Sequence, residues 1–290
     1  MVVQHNLTAM NSNRMLGIST AEQAKSTEKL SSGYKVNRAA DDAAGLAISE
    51  KMRRQIRGLT QATANAQDGI SALQTAEGAL NEVHDMLQRM NELAIKAGNE
   101  TLQSVDKTYI QSELTALQTE INRVAETTTF NEQKLLNGEF STGKRIQVGA
   151  EVGSANQIRI TIGKMDWSSI TVSATGLTAS GGGTIAASTL DVTNADYNYV
   201  KATVSVIKSA LQEVSTQRSG LGAVQNRLEH TVANLKNVVE NTTAAESAIR
   251  DTDMAEEMVR YSNLSILTQA GQAMLAQANT ANQGVLTLLQ

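Results

Sequence analysis

Apolar residues recur at alternating spacings of three and four along much of this 290-residue chain. That spacing is the heptad pattern of a helix that packs against other helices. One such seam occupies residues 73–97 and a second occupies residues 110–124. The polar segment GNETLQSVD, which contains Gly98, separates them and predicts the turn of an αα-hairpin.

Two further seams lie in the second half of the chain. The first covers residues 200–239, where Arg218 and Gln225 take seam positions and are predicted to face solvent or a polar partner. The last seam consists of Leu264, Leu267, Gly271, Met274, Ala278, Ala281, Val285 and Leu288.

The N-terminal stretch 7–30 is less apolar, so it needs a partner helix or stays disordered.

The middle of the chain changes period. Apolar residues alternate with polar or small ones over 146–150 and again over 158–162, on either side of EVGSAN. Period-two alternation of this kind predicts a β-hairpin near residues 145–163. Residues 166–196 are rich in Ser, Thr and Gly, which favours short strands or loops in a surface insertion.

Composition narrows the functional classes. Hydrophobic residues make up 41% of the chain but aromatic residues only 3%, so aliphatic side chains and Ala must build the core. There is no Pro to interrupt long helices, and no Cys for disulfides, thiolate metal sites or cysteine catalysis. A net charge of −4 gives no basic footprint for nucleic acid, and no apolar run is long enough for a membrane span or signal peptide.

Candidate chemistry is sparse. The histidines His5, His84 and His230 are too few for a metal site with its second shell of partners. The acidic pair Asp41–Asp42 is interpreted as a helix start rather than a cation site. No nucleotide-binding, hydrolase or zinc-protease motif is present, so we expect no enzyme and no cofactor.

Several long strings resemble bacterial flagellin, and the resemblance covers nearly the whole chain outside about 165–197. They begin with LSSGYKVNRAADDAAGLAIS, GLTQATANAQDGIS and TAEGALNEVHDMLQRMNELAIKA in the first hundred residues. They continue near the end with AAESAIRDTDMAEEM, ILTQAGQAMLAQAN and the closing VLTLLQ.

The resemblance implies a mainly α fold, a long antiparallel helical coiled-coil rod with a small β-hairpin region. Residues 1–40 and 251–290 would form the D0 domain, whose terminal helices build the filament core. Residues 41–165 and 197–250 would form the D1 helical domain. Residues 166–196 would be the reduced variable insertion.

The function implied is that of a structural subunit that self-assembles into the flagellar filament for motility. Such proteins are exported by the flagellar type III apparatus, which places them outside the cell without a cleaved signal peptide. The implied partners are further copies of the chain, an export chaperone at the C-terminal helix, and the hook-associated and cap proteins. A hook–filament junction protein is the alternative, and an isolated coiled-coil module would explain the seams but not the strings.

The resemblance also marks residues for recognition by the host flagellin-sensing Toll-like receptor, namely Arg89, Leu93 and Glu113. The seam pattern alone favours solvated or intersubunit charges at Arg89 and Glu113, and packing at Leu93. Asn282 and Gln290 depart from residues common in the family. The predicted polymerisation seam is Leu264, Leu267, Met274, Val285 and Leu288.

Overall fold

The computed structural model describes residues 6–171, 190, 192–193 and 197–288; the side chains of 197–198 and 281–288 lie outside the described part. Within these residues the chain is mainly helical, as the seams predict, with two small antiparallel sheets. The helices are α1 (Leu7–Ser32), α2 (Ala43–Ala97), α3 (Ser104–Thr127), α4 (Trp167–Ile170), α5 (Tyr197–Arg250) and α6 (Met254–Leu288). The strands are β1 (Thr129–Phe130), β2 (Gln133–Lys134), β3 (Lys144–Gln147) and β4 (Gln157–Ile160).

The chain divides into two compact units. The first comprises Met1–Ile56 with Glu240–Gln290, and the second comprises Arg57–Val239. The first unit therefore takes in the start of α2 and the end of α5, where Glu50 and Arg250 form an ion pair at 3.4 Å. The D0 limits at residues 40 and 251 fall instead near the breaks between helices, and they stay a prediction.

The core of the second unit lies along one face of α2. Leu73, Leu80, Leu87 and Met90 are fully buried there, together with seam residues of α3 and α5. A helix of 55 residues can continue without a break because the chain has no Pro. The predicted seams are thus confirmed as the contacts that hold three long helices together.

Helices α2 and α5 run antiparallel in this unit. Gly98, after the last turn of α2, lies against Val200, and Glu77 pairs with Arg218 at 4.0 Å. Arg218 therefore has the polar partner predicted for it. Gln225 likewise donates to Glu229 Oε1 at 2.9 Å along the surface of α5.

The predicted β-hairpin is present. Strand β3 pairs antiparallel with β4, and Ile146 lies opposite Ile158 in the register. A second hairpin, between β1 and β2, was not predicted from the sequence. Its two-residue turn places Asn131 and Glu132 at φ values of 48° and 64°, and Asn–Glu is an unusual pair for such a turn, which favours Asn–Gly or Asp–Gly.

Both described ends of the segment 166–196 pack into the second unit. Its start forms the buried single turn of α4 and not a strand or loop. At its other end, the Gln111 side chain donates to Leu190 O at 2.6 Å and accepts from Val192 N at 3.0 Å. These ends are therefore anchored in the core. Most of the segment lies outside the described residues, so its assignment as a surface insertion stays a prediction.

Truncating the α2 seam should destabilise the second unit. We expect Leu80→Ala to lower the free energy of unfolding by about 3 kcal/mol, because it removes buried methyl groups and leaves a cavity. Val105→Ala, at an exposed position of α3, should change it by less than about 0.5 kcal/mol. Urea denaturation followed by circular dichroism measures both, and equal effects would contradict the assigned core.

Candidate interaction surfaces

The first candidate surface is the helix pair α1–α6 in the first unit. The two helices run antiparallel: Asn6 Nδ2 donates to Ala278 O at 3.0 Å, and Ser26 Oγ donates to Glu257 O at 3.5 Å. The weakly apolar N-terminal stretch thus has α6 as its partner helix, which was one of the two alternatives. None of the helices in the described part is long and apolar enough to span a membrane.

The side chains that α6 directs toward α1 are largely polar or small. Glu257, Leu264 and Thr268 are buried, and Gly271 lets the Leu16 side chain approach within 3.3 Å of its Cβ position. Spacings of seven, four and three place these residues on one helical face. The pair therefore gains little from hydrophobic burial.

The predicted polymerisation seam only partly coincides with this face. Leu264 lies within the pair, whereas Leu267 and Met274 are 56% and 62% exposed. The side chains of Val285 and Leu288 lie outside the described residues, although both belong to α6.

Large apolar side chains are concentrated on the outside of the first unit. Since isolated exposed apolar residues are ordinary but a series of them along a helix pair is not, this surface is a candidate for assembly. Those on α1 and α6 are Leu7, Met10, Met15, Ile18, Met254, Met258, Val259, Ile266, Leu267 and Met274.

The segment that follows α1 and the segment that precedes α6 are joined by a hydrogen bond. Gly33, at φ 75°, ends α1, and its carbonyl oxygen accepts from Thr252 N at 3.0 Å. The Arg250 guanidinium lies over the Tyr34 ring at 4.4 Å and pairs with Glu50. Only the tertiary fold brings these residues together, so no pattern within the sequence indicates the cluster.

The acidic pair before α2 starts that helix, as interpreted from the sequence. Asp42 Oδ1 accepts from Gly45 N at 2.9 Å, which is an N-cap contact. Asp41 accepts from the backbone N–H of Arg38 at 3.1 Å and pairs with Lys25 at 3.2 Å. These contacts lower the pKa of Asp41 below its ordinary value, and the hydrogen bond from the Arg38 backbone makes the largest contribution.

The second candidate surface joins α2 and α3 in the second unit. Arg89 donates to Glu113 Oε1 from Nε at 3.1 Å and from Nη2 at 2.9 Å, and to Glu92 from Nη1 at 3.4 Å. The hydrogen bonds to Glu113 raise the pKa of Arg89. The Arg89 side chain is still 52% exposed, so the pair faces solvent and is available to a partner.

Leu93 does not belong to that exposed surface. It is only 4% exposed and lies in the core of the second unit. Its assignment as a receptor contact, which the resemblance suggests, stays a prediction. Packing, the role that the seam pattern favours for it, is what the burial indicates.

No grouping of three or more metal-ligating His, Cys, Asp or Glu side chains occurs among the described residues. His84 contacts Gln88 through Nε2 at 2.9 Å, and His230 is exposed on α5.

Two family models match most of the chain. Residues 3–140 match the bacterial flagellin N-terminal helical region, and residues 204–289 match the C-terminal helical region. A flagellin of Halalkalibacterium halodurans is 51% identical over 290 residues, covering all of both chains. The chain belongs to the bacterial flagellin family. As a flagellin it is a structural protein and not an enzyme.

Two further proteins are similar to this flagellin, one in sequence and one in fold. The flagellar filament 31.3 kDa core protein of Treponema maltophilum is 45% identical, again over the whole of both chains. A solved putative flagellar hook-associated protein from Vibrio parahaemolyticus superposes with a TM-score of 0.58, covering 73% of this chain and 100% of that one. At 14% identity, that likeness shows a shared fold alone.

Because the contact between α1 and α6 is polar, this helix pair of the flagellin should be only weakly stable in the free monomer. We expect the amides of residues 257–278 to exchange much faster in free monomer than those of residues 73–94, because the second set lies on a fully buried seam. Hydrogen exchange followed by mass spectrometry measures the difference. Equal protection of the two segments would show that the pair is stable without assembly.

Proposed function

We propose that this flagellin polymerises through the exposed apolar side chains of the α1–α6 pair, which become buried between neighbouring subunits of the flagellar filament. The observation that carries the proposal is the exposure of Leu267, Met274 and their apolar neighbours on a pair whose internal contact is polar. Burying such side chains contributes about 25 cal/mol per Å² of apolar area. Assignment of 1–40 and 251–290 to the filament core is part of this proposal.

The same helix would need protection before assembly. An export chaperone that covers the apolar residues of α6 would prevent early polymerisation in the cell. Export would follow the flagellar type III route, without a cleaved signal peptide. The hook-associated and cap proteins would meet the same helix pair at the two ends of the filament, which requires no further surface.

Replacing one exposed apolar side chain by a charge should block assembly without unfolding the second unit. Leu267→Asp places a carboxylate where an apolar contact between subunits is proposed, and should raise the critical concentration for polymerisation at least about tenfold. Leu267→Met is the matched control, since it keeps the volume and apolar character of the side chain.

Negative-stain electron microscopy and sedimentation of seeded protein give the readout, with circular dichroism as the check on folding. Normal filaments from Leu267→Asp would refute the assigned face. A wild-type chain that never forms long filaments would favour the hook–filament junction alternative. The fold is common to both kinds of protein, so polymerisation separates them.

We also propose that the Arg89–Glu113 pair is a contact for the host flagellin-sensing Toll-like receptor. Supporting this are the exposure of both side chains and the fixed orientation that Glu113 gives to the guanidinium. An exposed ion pair contributes little to stability, so the fold does not require it. An oriented Arg is in contrast a frequent centre of binding energy in interfaces.

Removing the guanidinium tests this role directly. Arg89→Ala should weaken monomer binding to the purified receptor ectodomain by at least about tenfold. Arg123→Ala is the matched control, because Arg123 is also an exposed arginine in an ion pair, with Glu120 on α3. Surface plasmon resonance and a receptor reporter assay measure both variants, and equal binding would refute the contact.

A further inference from the structure

Two arginines lie directly opposite each other on the outer face of the β3–β4 hairpin. The register pairs Arg145 with Arg159, and both side chains are exposed. Their neighbours Ile146 and Ile158 point the other way and pack into the core of the second unit. Because successive side chains of a strand point to opposite faces, the two guanidinium groups extend from the same side of the hairpin.

The two arginine side chains start at the closest spacing that a β-ladder offers. Val148 N donates to Asn156 O at 2.8 Å, so that pair is a hydrogen-bonded one. Since hydrogen-bonded and non-hydrogen-bonded pairs alternate along an antiparallel ladder, Arg145–Arg159, three pairs further on, is a non-hydrogen-bonded pair. The Cα atoms of such a pair are about 4.5 Å apart, nearer than those of a hydrogen-bonded pair.

Gly143 holds Arg159 in this position. The Cγ and Cδ atoms of Arg159 occupy the space that a Cβ on residue 143 would need. Gly143 also has a φ of 81°, a conformation that favours glycine. The aliphatic part of Arg159 therefore lies across the backbone of residue 143, which limits the positions that its guanidinium can take.

The charge of the two arginines is not balanced within the described part of the chain, where neither guanidinium has a hydrogen bond or an ion pair. Asp166 pairs instead with Lys164 at 3.0 Å. Glu139 accepts from Asn137 Nδ2 at 2.9 Å, and Glu151 lies in the turn beyond the ends of the strands. Like charges directly opposite each other destabilise a sheet, so an anion bound from outside would stabilise this one.

Two guanidinium groups at this spacing suit a tetrahedral oxyanion. A carboxylate presents two oxygens in one plane, and a single guanidinium binds both of them. A sulfate or phosphate group has oxygens that point in several directions, so two guanidinium groups can bind it together. Lys144, whose Nζ lies 5.4 Å from the centre of the Phe140 ring, adds a third cation next to Arg145.

The composition of the face favours sulfate over the phosphates of a nucleic acid. Nucleic-acid surfaces combine a long basic track with aromatic side chains on which bases stack. The paired positions next to the two arginines on this face are Gln147 and Gln157, and the chain as a whole has a net charge of −4. A compact group of three cations matches separate sulfate groups on a sugar chain.

We propose that the Arg145–Arg159 pair binds the sulfate groups of an extracellular sulfated polysaccharide. One exposed pair binds such a group weakly, because salt screens exposed charges. Repetition of the pair along a filament increases the avidity for a long polyanion. This gain in avidity rests on the proposed filament role, whereas the site itself is present on every monomer.

Binding of monomer to immobilised heparin, measured by surface plasmon resonance, tests the site. Arg145→Gln with Arg159→Gln should weaken binding at least about tenfold. Arg53→Gln with Arg123→Gln is the matched control, because it removes the same charge from two arginines that have carboxylate partners. An equal loss in the control would show that net charge alone matters and would overturn the site.

A variant that keeps the charge tests the geometry. Arg145→Lys with Arg159→Lys retains two cations but loses the planar guanidinium groups, so heparin should bind at least about threefold more weakly. Unchanged binding would overturn the assigned geometry. Heparin should also raise the midpoint of thermal unfolding of the wild type more than that of the Gln variant, because a ligand stabilises the state that binds it. Circular dichroism measures these midpoints and checks the folding of each variant.

Competing polymers identify the chemical class of the ligand. Hyaluronate, whose charges are all carboxylates, should displace monomer from heparin at least about tenfold less well than free heparin does. Equal competition by hyaluronate would overturn the assignment to a tetrahedral oxyanion. Polyphosphate should also compete less well than heparin, and stronger competition would overturn the sulfated class in favour of a phosphate polymer.

Filaments separate this inference from the proposed filament role. Sedimented filaments should retain heparin at lower concentrations than the same mass of monomer does. Filaments that retain none overturn binding by the assembled protein and leave the filament role intact. A folded Gln variant that forms no filaments shows that the pair contacts a neighbouring copy, which overturns the inference alone. Wild-type monomer that binds heparin but never polymerises overturns the filament role and leaves the site.

Discussion

The buried aliphatic seam of α2 is the constraint on which the second unit depends. Because aromatic residues make up only 3% of the chain, few large side chains are available to fill gaps in the core. Leu, Val, Met and Ala must therefore pack closely over many turns of helix. Helix α3, both described ends of the segment 166–196, and α5 all contribute side chains to this one core. The register of α2 therefore determines where Arg89 and Ile95 reach the surface.

The first unit has a different distribution of polar and apolar residues. Its helix pair uses the same spacing of seven, but Glu257, Thr268 and Gly271 occupy positions that would be apolar in the second unit. The apolar residues Leu267 and Met274 lie outside that contact. In the proposed assembly, burying these side chains between subunits would supply free energy that the helix pair does not gain on folding. A chain that must remain soluble before assembly and be stable after it benefits from that division.

Sequence periodicity predicted the long helices and the β3–β4 hairpin because burial in one core selects the period directly. It could not select the face of α6. Two heptad series share Leu264 and Gly271, one continuing through Leu267 and Met274 and the other through Thr268. Hydrophobicity favours the first series, whereas the polar surface of α1 pairs with the second. The hydrogen bonds that Gln147 Nε2 and Asn156 Nδ2 donate to Glu151 O in the β3–β4 turn were equally hidden, since both are ordinary polar residues until the hairpin register brings them together.

The proposed contact between the apolar faces of α1 and α6 depends on burial of apolar area, which salts such as sulfate strengthen. Burial is non-directional and tolerates small displacements, so these faces would provide adhesion without fixing one axial position. An ordered filament needs register as well, because adhesion without register would give aggregates.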